Sequence, residues 1–148
     1  EGKEYFYPKI EVSSSAIATW FAHHLHFPVG KKRGDLPFPP YINKKALEDG
    51  FFVGYVGAKG NVFGGNGNIK LIVHCKSESF LERISRIASR HGIRATIRQV
   101  QPSANSLIET LRDTNVLDIG KRGIEVMYSQ GLLINPRHLT EYLLNRKR

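Results

Sequence analysis

Apolar and polar residues alternate from Asn68 to Lys76. Ile69, Leu71, Val73 and Cys75 fall on one side, and Lys70, Ile72, His74 and Lys76 on the other. A period of two predicts a strand with one buried face. The period then changes. Phe80, Leu81, Ile84, Ile87 and Ala88 recur at steps of three and four, which predicts a helix with one buried stripe. Ser77 is its N-cap, Glu78 sits in its first turn and Gly92 closes it. Alternation returns from Ile93 to Gln99, with Ile93, Ala95 and Ile97 inward and Arg94, Thr96 and Arg98 outward. Upstream, residues 44–58 predict a helix that Gly60 ends. Residues 61–66 predict a short glycine-rich strand, and Gly65-Asn66-Gly67 is a turn signal. Downstream, residues 102–122 carry little pattern beyond a helical turn or two from Ser106 to Arg112. Ile124, Val126 and Tyr128 alternate and predict a fourth strand. Asn135-Pro136 marks a helix start, with Leu139, Tyr142 and Leu143 as the buried face.

Residues 1–43 have a different character. Glu4 to Val12 predicts a strand interrupted by Pro8, and Ser13, Ser14 and Ser15 offer N-caps to a helix from Ala16 to Phe27. Pro28 to Asn43 holds four prolines and the basic run Lys31-Lys32-Arg33, which predicts a linker. The expected division is an N-terminal arm with a Pro/Gly-rich basic linker at 1–43, then one folded domain at 44–148. The strand-then-helix of residues 4–27 weakly echoes that of residues 123–145. The chain begins at Glu1 rather than methionine, which points to a removed leader or a trimmed terminus.

Composition narrows the function classes. Lys and Arg number 22 against 13 Asp and Glu, a net charge of +9. Such an excess favours a polyanionic partner, of which nucleic acid is the commonest. No apolar run approaches the roughly 20 residues that span a bilayer, so no membrane partner is expected. A single cysteine, Cys75, excludes an internal disulfide and a cysteine-rich zinc site; its place in the alternation makes it core packing. His23, His24 and His26 cluster without a standard zinc spacing and read as helix-surface residues. Arg83, Arg86 and Arg90 line the polar side of the middle helix, where Glu82 can pair with Arg86.

The first helix ends in Phe52-Val53-Gly54-Tyr55-Val56-Gly57-Ala58-Lys59-Gly60. This segment resembles the motif of the LAGLIDADG homing endonucleases, with Gly54 and Gly60 at the motif's two glycines. The order strand, strand, helix, strand, strand, helix that follows is similar to the family's, and the resemblance covers residues 46–148. It implies an α+β fold, an α-β-β-α-β-β-α unit with a curved antiparallel sheet. It also implies that two motif helices pack together, from two subunits or two halves of a chain. Gly50, Gly54, Gly57 and Ala58 supply a small face for such packing. Glycine in a helix costs about 1 kcal/mol relative to alanine, so three in eight residues call for a compensating contact.

The resemblance further implies that the outward strand residues lie across nucleic acid. Lys70, His74, Lys76, Arg94, Thr96 and Arg98 hold those positions, and long basic side chains suit phosphate and base-edge contacts. From residue 59 to 101, Lys and Arg outnumber Glu eight to two. The departure from the family is chemical. Active members hold divalent metal on carboxylates at the motif's end, and those positions here carry Gly57 and Lys59. Glu48 and Asp49 lie about ten residues back along the helix, too far to substitute. Lys59 instead suits a phosphate. The expectation is a nucleic-acid-binding domain without cleavage activity or cofactor, with RNA slightly favoured over DNA. A maturase-like role or a place in an RNA-rich particle such as an organellar ribosome fits, as does a mitochondrial location. The alternative is an active endonuclease that takes its acids from a partner subunit and uses Mg²⁺.

Overall fold

The computed structural model describes residues 14–24, 38–65, 68–100 and 114–146. In chain order these form helix α1 (Ser15–His24), helix α2 (Lys45–Lys59), strands β1 (Gly60–Gly65) and β2 (Asn68–Cys75), and helix α3 (Glu78–Arg90). Strands β3 (Ala95–Val100) and β4 (Thr114–Gly120) and helices α4 (Lys121–Ser129) and α5 (Pro136–Arg146) follow. The four strands make one antiparallel sheet in the order β1-β2-β4-β3. Helices α2 to α5 pack on one face of it. No described helix is long and apolar enough to cross a membrane.

The core lies where the predicted alternation puts it. Ile69, Leu71 and Val73 of β2 are buried, and Leu71 and Val73 pair with Ile119 and Leu117 of β4. From the helix side come Phe52 and Val56, the α3 stripe of Phe80, Leu81, Ile84, Ile87 and Ala88, and Ile93 just before β3. Each large side chain taken fully from water contributes about 1.5–3 kcal/mol. Ser77 caps α3 by accepting from the Phe80 amide at 3.3 Å. Gly92, at φ +74°, takes the left-handed conformation that ends the helix.

Two expectations are corrected. The fourth strand is not at residues 124–128. It is Thr114–Gly120, inside the stretch whose pattern was unreadable, and residues 121–129 are helical. Ile124 and Met127, three residues apart, are the apolar pair that α4 buries, which is helical rather than strand spacing. Gly123 lets α4 lie against the sheet, because a Cβ there would meet Ile119 Cγ2 at 2.6 Å. With 123–129 helical, the echo of residues 4–27 is lost. The buried face of α5 is the second correction. Tyr142 is buried and Leu139 partly so, but Leu143 is exposed and His138 occupies the buried position instead.

Helix α1 spans Ser15–His24, with the Ile17 amide on the Ser14 hydroxyl at 3.3 Å. The strand expected from Glu4 to Val12, the linker from residue 28 to 37, His26, the Asn66-Gly67 turn and the helical turns near Ser106 lie outside the described residues. Phe38 to Asn43, on the arm side of the expected boundary, packs against the folded unit. Phe38 meets the Phe51 and Phe80 rings at 5.1 and 5.6 Å, and Ile42 is buried.

The glycines of α2 generate opposed predictions. A Cβ at Gly54 would meet nothing within 4 Å, whereas one at Gly60 would lie 2.4 Å from the Val56 carbonyl oxygen. Gly54→Ala is expected to stabilise the monomeric chain by roughly 1 kcal/mol in urea unfolding through helix propensity. Gly60→Ala is expected to destabilise it by about 1–3 kcal/mol through overpacking. A destabilised Gly54→Ala monomer would show that its face is covered within the chain.

Candidate nucleic-acid interface

The face of the sheet turned away from α2 to α5 exposes side chains of β1, β2 and β3 but covers Thr114 and Val116 of β4, and the register arranges its side chains in three rows. One row is Phe63, Lys70 and Gly120. The next is Asn61, Ile72, Asp118 and Thr96. The third is His74, Val116 and Arg98. Phe63, Lys70, His74, Thr96 and Arg98 are exposed, as are Lys76 just beyond β2 and Arg94 just before β3. The register puts four of the six residues expected from sequence, Lys70, His74, Thr96 and Arg98, on this face, while Lys76 and Arg94 lie beyond the strand ends. It adds three that the sequence did not single out: Asn61, Phe63 and Asp118. Phe63 is 55% exposed and offers a ring on which a base can stack. Asp118 lies between Ile72 and Thr96, and Lys70 Nζ donates to its Oδ2 at 3.4 Å. Lys70 is thus not a free cation.

Lys59 is set by a different constraint. Helix α2 ends at Lys59 and β1 begins at Gly60 with no intervening loop. Gly60 pairs with Val73, so the exposed Lys59 stands at the His74 end of the β1–β2 pair. Two side chains from the start of α5 hold this junction. Asn135 Nδ2 donates to the Gly57 carbonyl at 2.6 Å, and His138 Nε2 donates to the Gly60 carbonyl at 2.9 Å.

Helix α2 presents two further faces. Its N-terminal acids turn toward α3: Glu48, buried, accepts from Arg83 and Arg90. Asp49 Oδ1 accepts from Arg90 Nη2 and His91 Nε2, each at 3.0 Å. The Arg90 hydrogen bond holds the Glu48 carboxyl below its usual range against the opposing effect of burial, and Arg83 adds to it. Burial raises the Asp49 carboxyl, but His91 and Arg90 outweigh it and the net shift is downward. Two of the three α3 arginines are therefore structural. The other face carries Leu47, Gly50, Gly54 and Ala58, all exposed. Of the three glycines Gly50, Gly54 and Gly57, only Gly57 faces a side chain, Ile134, whose Cγ1 would lie 3.3 Å from a Cβ there.

A family model described as a LAGLIDADG-like domain matches residues 46–130, more than half of the chain. The chain belongs to the LAGLIDADG homing-endonuclease-like family. No curated protein and no solved structure matches it. The match takes in α2 with its motif, all four strands, α3 and α4. Membership makes the chain a nucleic-acid-related protein and gives the motif helix, the open sheet and the junction between them their family context.

The junction does not fit the divalent cation that active LAGLIDADG enzymes use. Gly57 has no side chain, Lys59 is a cation, and among the described residues no three His, Cys, Asp or Glu side chains gather to hold a metal. Glu48 is about 16 Å from Lys59 along the helix axis and is already paired.

His138 makes the junction pH-sensitive. Its Nε2 proton goes to Gly60, so Nδ1 is left a buried acceptor with no partner. Burial holds the His138 pKa below its ordinary 6.5, the Gly60 hydrogen bond opposes this and neighbouring Arg137 reinforces it. Below pH 6.5 the unfolded chain binds a proton that the folded chain resists. The stability His138 contributes is full above that pH and is lost as pH falls through the folded-state value. Glu48 and Asp49 act with the same sign at lower pH, below their ordinary 4.5 and 3.8. Thermal unfolding from about pH 7.5 to about pH 5.5 is expected to show a falling Tm, with a shallower fall in His138→Gln. An equal slope in the variant would place the titration elsewhere.

Proposed function

We propose that this LAGLIDADG-family chain binds nucleic acid through the exposed basic residues of the outward sheet face without cleaving it, and that RNA is preferred over DNA. The observation that carries the reading is the pairing of a cationic sheet face with a motif whose acids are replaced by Gly57 and Lys59. Cleavage on this scaffold stabilises charge on the attacking and leaving oxygens with metal ions, and those ions need carboxylates. A lysine at the same place repels the metal and attracts the phosphate. Family members that act as RNA maturases work without the nuclease centre, and a chain lacking the acids suits that use. A place in an RNA-rich particle such as an organellar ribosome would draw on the same surface, and a mitochondrial setting accords with either. On this reading the exposed face of Leu47, Gly50, Gly54 and Ala58 receives a second motif-like helix, from another copy or another protein.

Binding is expected to be strongly salt-dependent. Replacing Arg94 and Arg98 together by alanine should weaken it and lower the slope of log K against log salt by about one per lost phosphate contact. Unchanged affinity and slope would remove the sheet face from the interface. Incubation of the protein with bound RNA or DNA in Mg²⁺ or Mn²⁺ is expected to leave the strands intact. Metal-dependent nicking that follows the protein through purification and survives Lys59→Ala would overturn the reading and favour acids supplied by a partner subunit.

A further inference from the structure

The helical layer holds an open cavity of about 410 Å³ between α3 and the turn that leads into α2. Its volume falls within the roughly 300–1,000 Å³ of ligand sites. One wall is the turn. Phe38, Pro39 and Pro40 line it, and the Ile42 amide donates to the Pro39 carbonyl at 3.0 Å to close it. Neither proline has an N–H, so this wall is stiff, apolar and poor in donors. The facing wall is α3, with Ser79, Arg83 and Arg86. The two arginines differ. Arg83 donates to the buried Glu48 and lies 5.5 Å over the Phe38 ring. Its charge and that of Arg90 are balanced by Glu48 and Asp49. Arg86 is exposed and makes no hydrogen bond or ion pair among the described residues. Glu82 stands four residues before it, the spacing at which the two side chains pair on a helix, yet no bond joins them. Arg86 instead lines the cavity, with all its donors available to an acceptor from outside the chain.

The surroundings select the acceptor. Arg86 is the one uncompensated charge among the side chains that line the cavity, so it matches a single negative charge. Glu78 and Glu82 precede it at steps of four on the same exposed row of α3. A nucleic-acid strand that followed this row would bring its phosphates against both carboxylates. An isolated carboxylate meets Arg86 alone, and a guanidinium takes it through two parallel hydrogen bonds. The Phe38–Pro40 wall opposite suits an apolar side chain beside that acid. We propose that the cavity is a docking site for a protein partner, occupied by a short segment with an acidic residue next to an apolar one. The carboxylate pairs with Arg86 and the apolar side chain lies on the Phe38–Pro40 wall. The site is separate from the sheet face and stands whether or not that face binds nucleic acid.

The test is titration of the isotope-labelled full chain, followed by amide NMR shifts, with three blocked peptides. One has a single glutamate between two leucines. The second replaces the glutamate by glutamine, and the third replaces both leucines by serine. The first is expected to shift signals of α3 and of residues 38–43, and each of the others to bind roughly tenfold more weakly, as loss of one charge-assisted bond or one apolar contact allows. Arg86→Gln removes no contact within the described residues, so its fold is expected to persist, and it should bind the glutamate and glutamine peptides equally. Arg83 is left intact, because its loss would strand Glu48. Absence of binding by the wild type, or equal binding of the glutamate and glutamine peptides, would overturn the proposal. So would a glutamate preference that survives Arg86→Gln. Equal binding of the serine peptide would remove the apolar wall from the site and overturn it too. A single-stranded RNA that shifts the same α3 signals, and ceases to in Arg86→Gln, would overturn it by giving the cavity to nucleic acid.

Discussion

The close approach at Gly60 is the constraint on which the arrangement depends. A helix passes into a strand there without a loop, and the backbone turns so tightly that a Cβ at Gly60 would meet Val56 oxygen at 2.4 Å, Leu71 at 3.0 Å and His138 at 3.2 Å. Only glycine fits. Such a junction fixes the direction of the helix relative to the sheet, since no flexible residue absorbs an error between them. The start of α5 then locks it, with Asn135 on Gly57 and His138 on Gly60. Both bonds take carbonyls at the end of α2 or just past it, where the helix itself supplies no donors. Lys59 lies between the two clamped carbonyls, and its direction is set by backbone geometry rather than by its own contacts.

The opposite end of α2 is held by charge. Glu48 is buried against Arg83 and Arg90, and Asp49 shares Arg90 with His91. Losing one member of such a group strands a charge away from water, which is far more damaging than never having the pair. The network ties α2 to α3 at one end while the Gly60 junction ties it to the sheet at the other. Between them the helix exposes Leu47, Gly50 and Gly54, and a Cβ at either glycine would meet nothing within 4 Å. A helix braced at both ends tolerates glycines along its exposed side, because tertiary contacts rather than propensity keep it formed.

How far the sequence could be read follows from how many faces each element buries. Strand β2 and helix α3 bury one face each, and a single period reports that face; Ile69, Leu71 and Val73, and then Phe80 to Ala88, stood out for this reason. Strand β4 is central. Val116, Leu117 and Ile119 are all buried, so its apolar residues do not alternate and a short run of this kind has no diagnostic period. Helix α4 failed in the other direction. It spans only nine residues, and Ile124, Val126 and Tyr128 imitate a strand when Met127 is passed over. The site followed the same rule. Outward residues on β2 and near β3 were legible from alternation, but Asp118 could not be found while its strand was missing. The roles of Arg83 and Arg90 depend on partners 35 and 42 residues away, which no local pattern reports.

The distribution of charge over the fold has a consistent logic. Carboxylates at the start of α2 are consumed by arginines on the helical side, where they add nothing to the surface that faces outward. The motif end, where a metal enzyme concentrates negative charge, carries Lys59. On the sheet Lys70 and Arg98 are exposed on the strands either side of β4, whose own outward side chains are covered: Thr114 and Val116 are buried, and Asp118 is 14% exposed and paired with Lys70. Positive charge on this face therefore flanks its central strand rather than filling it.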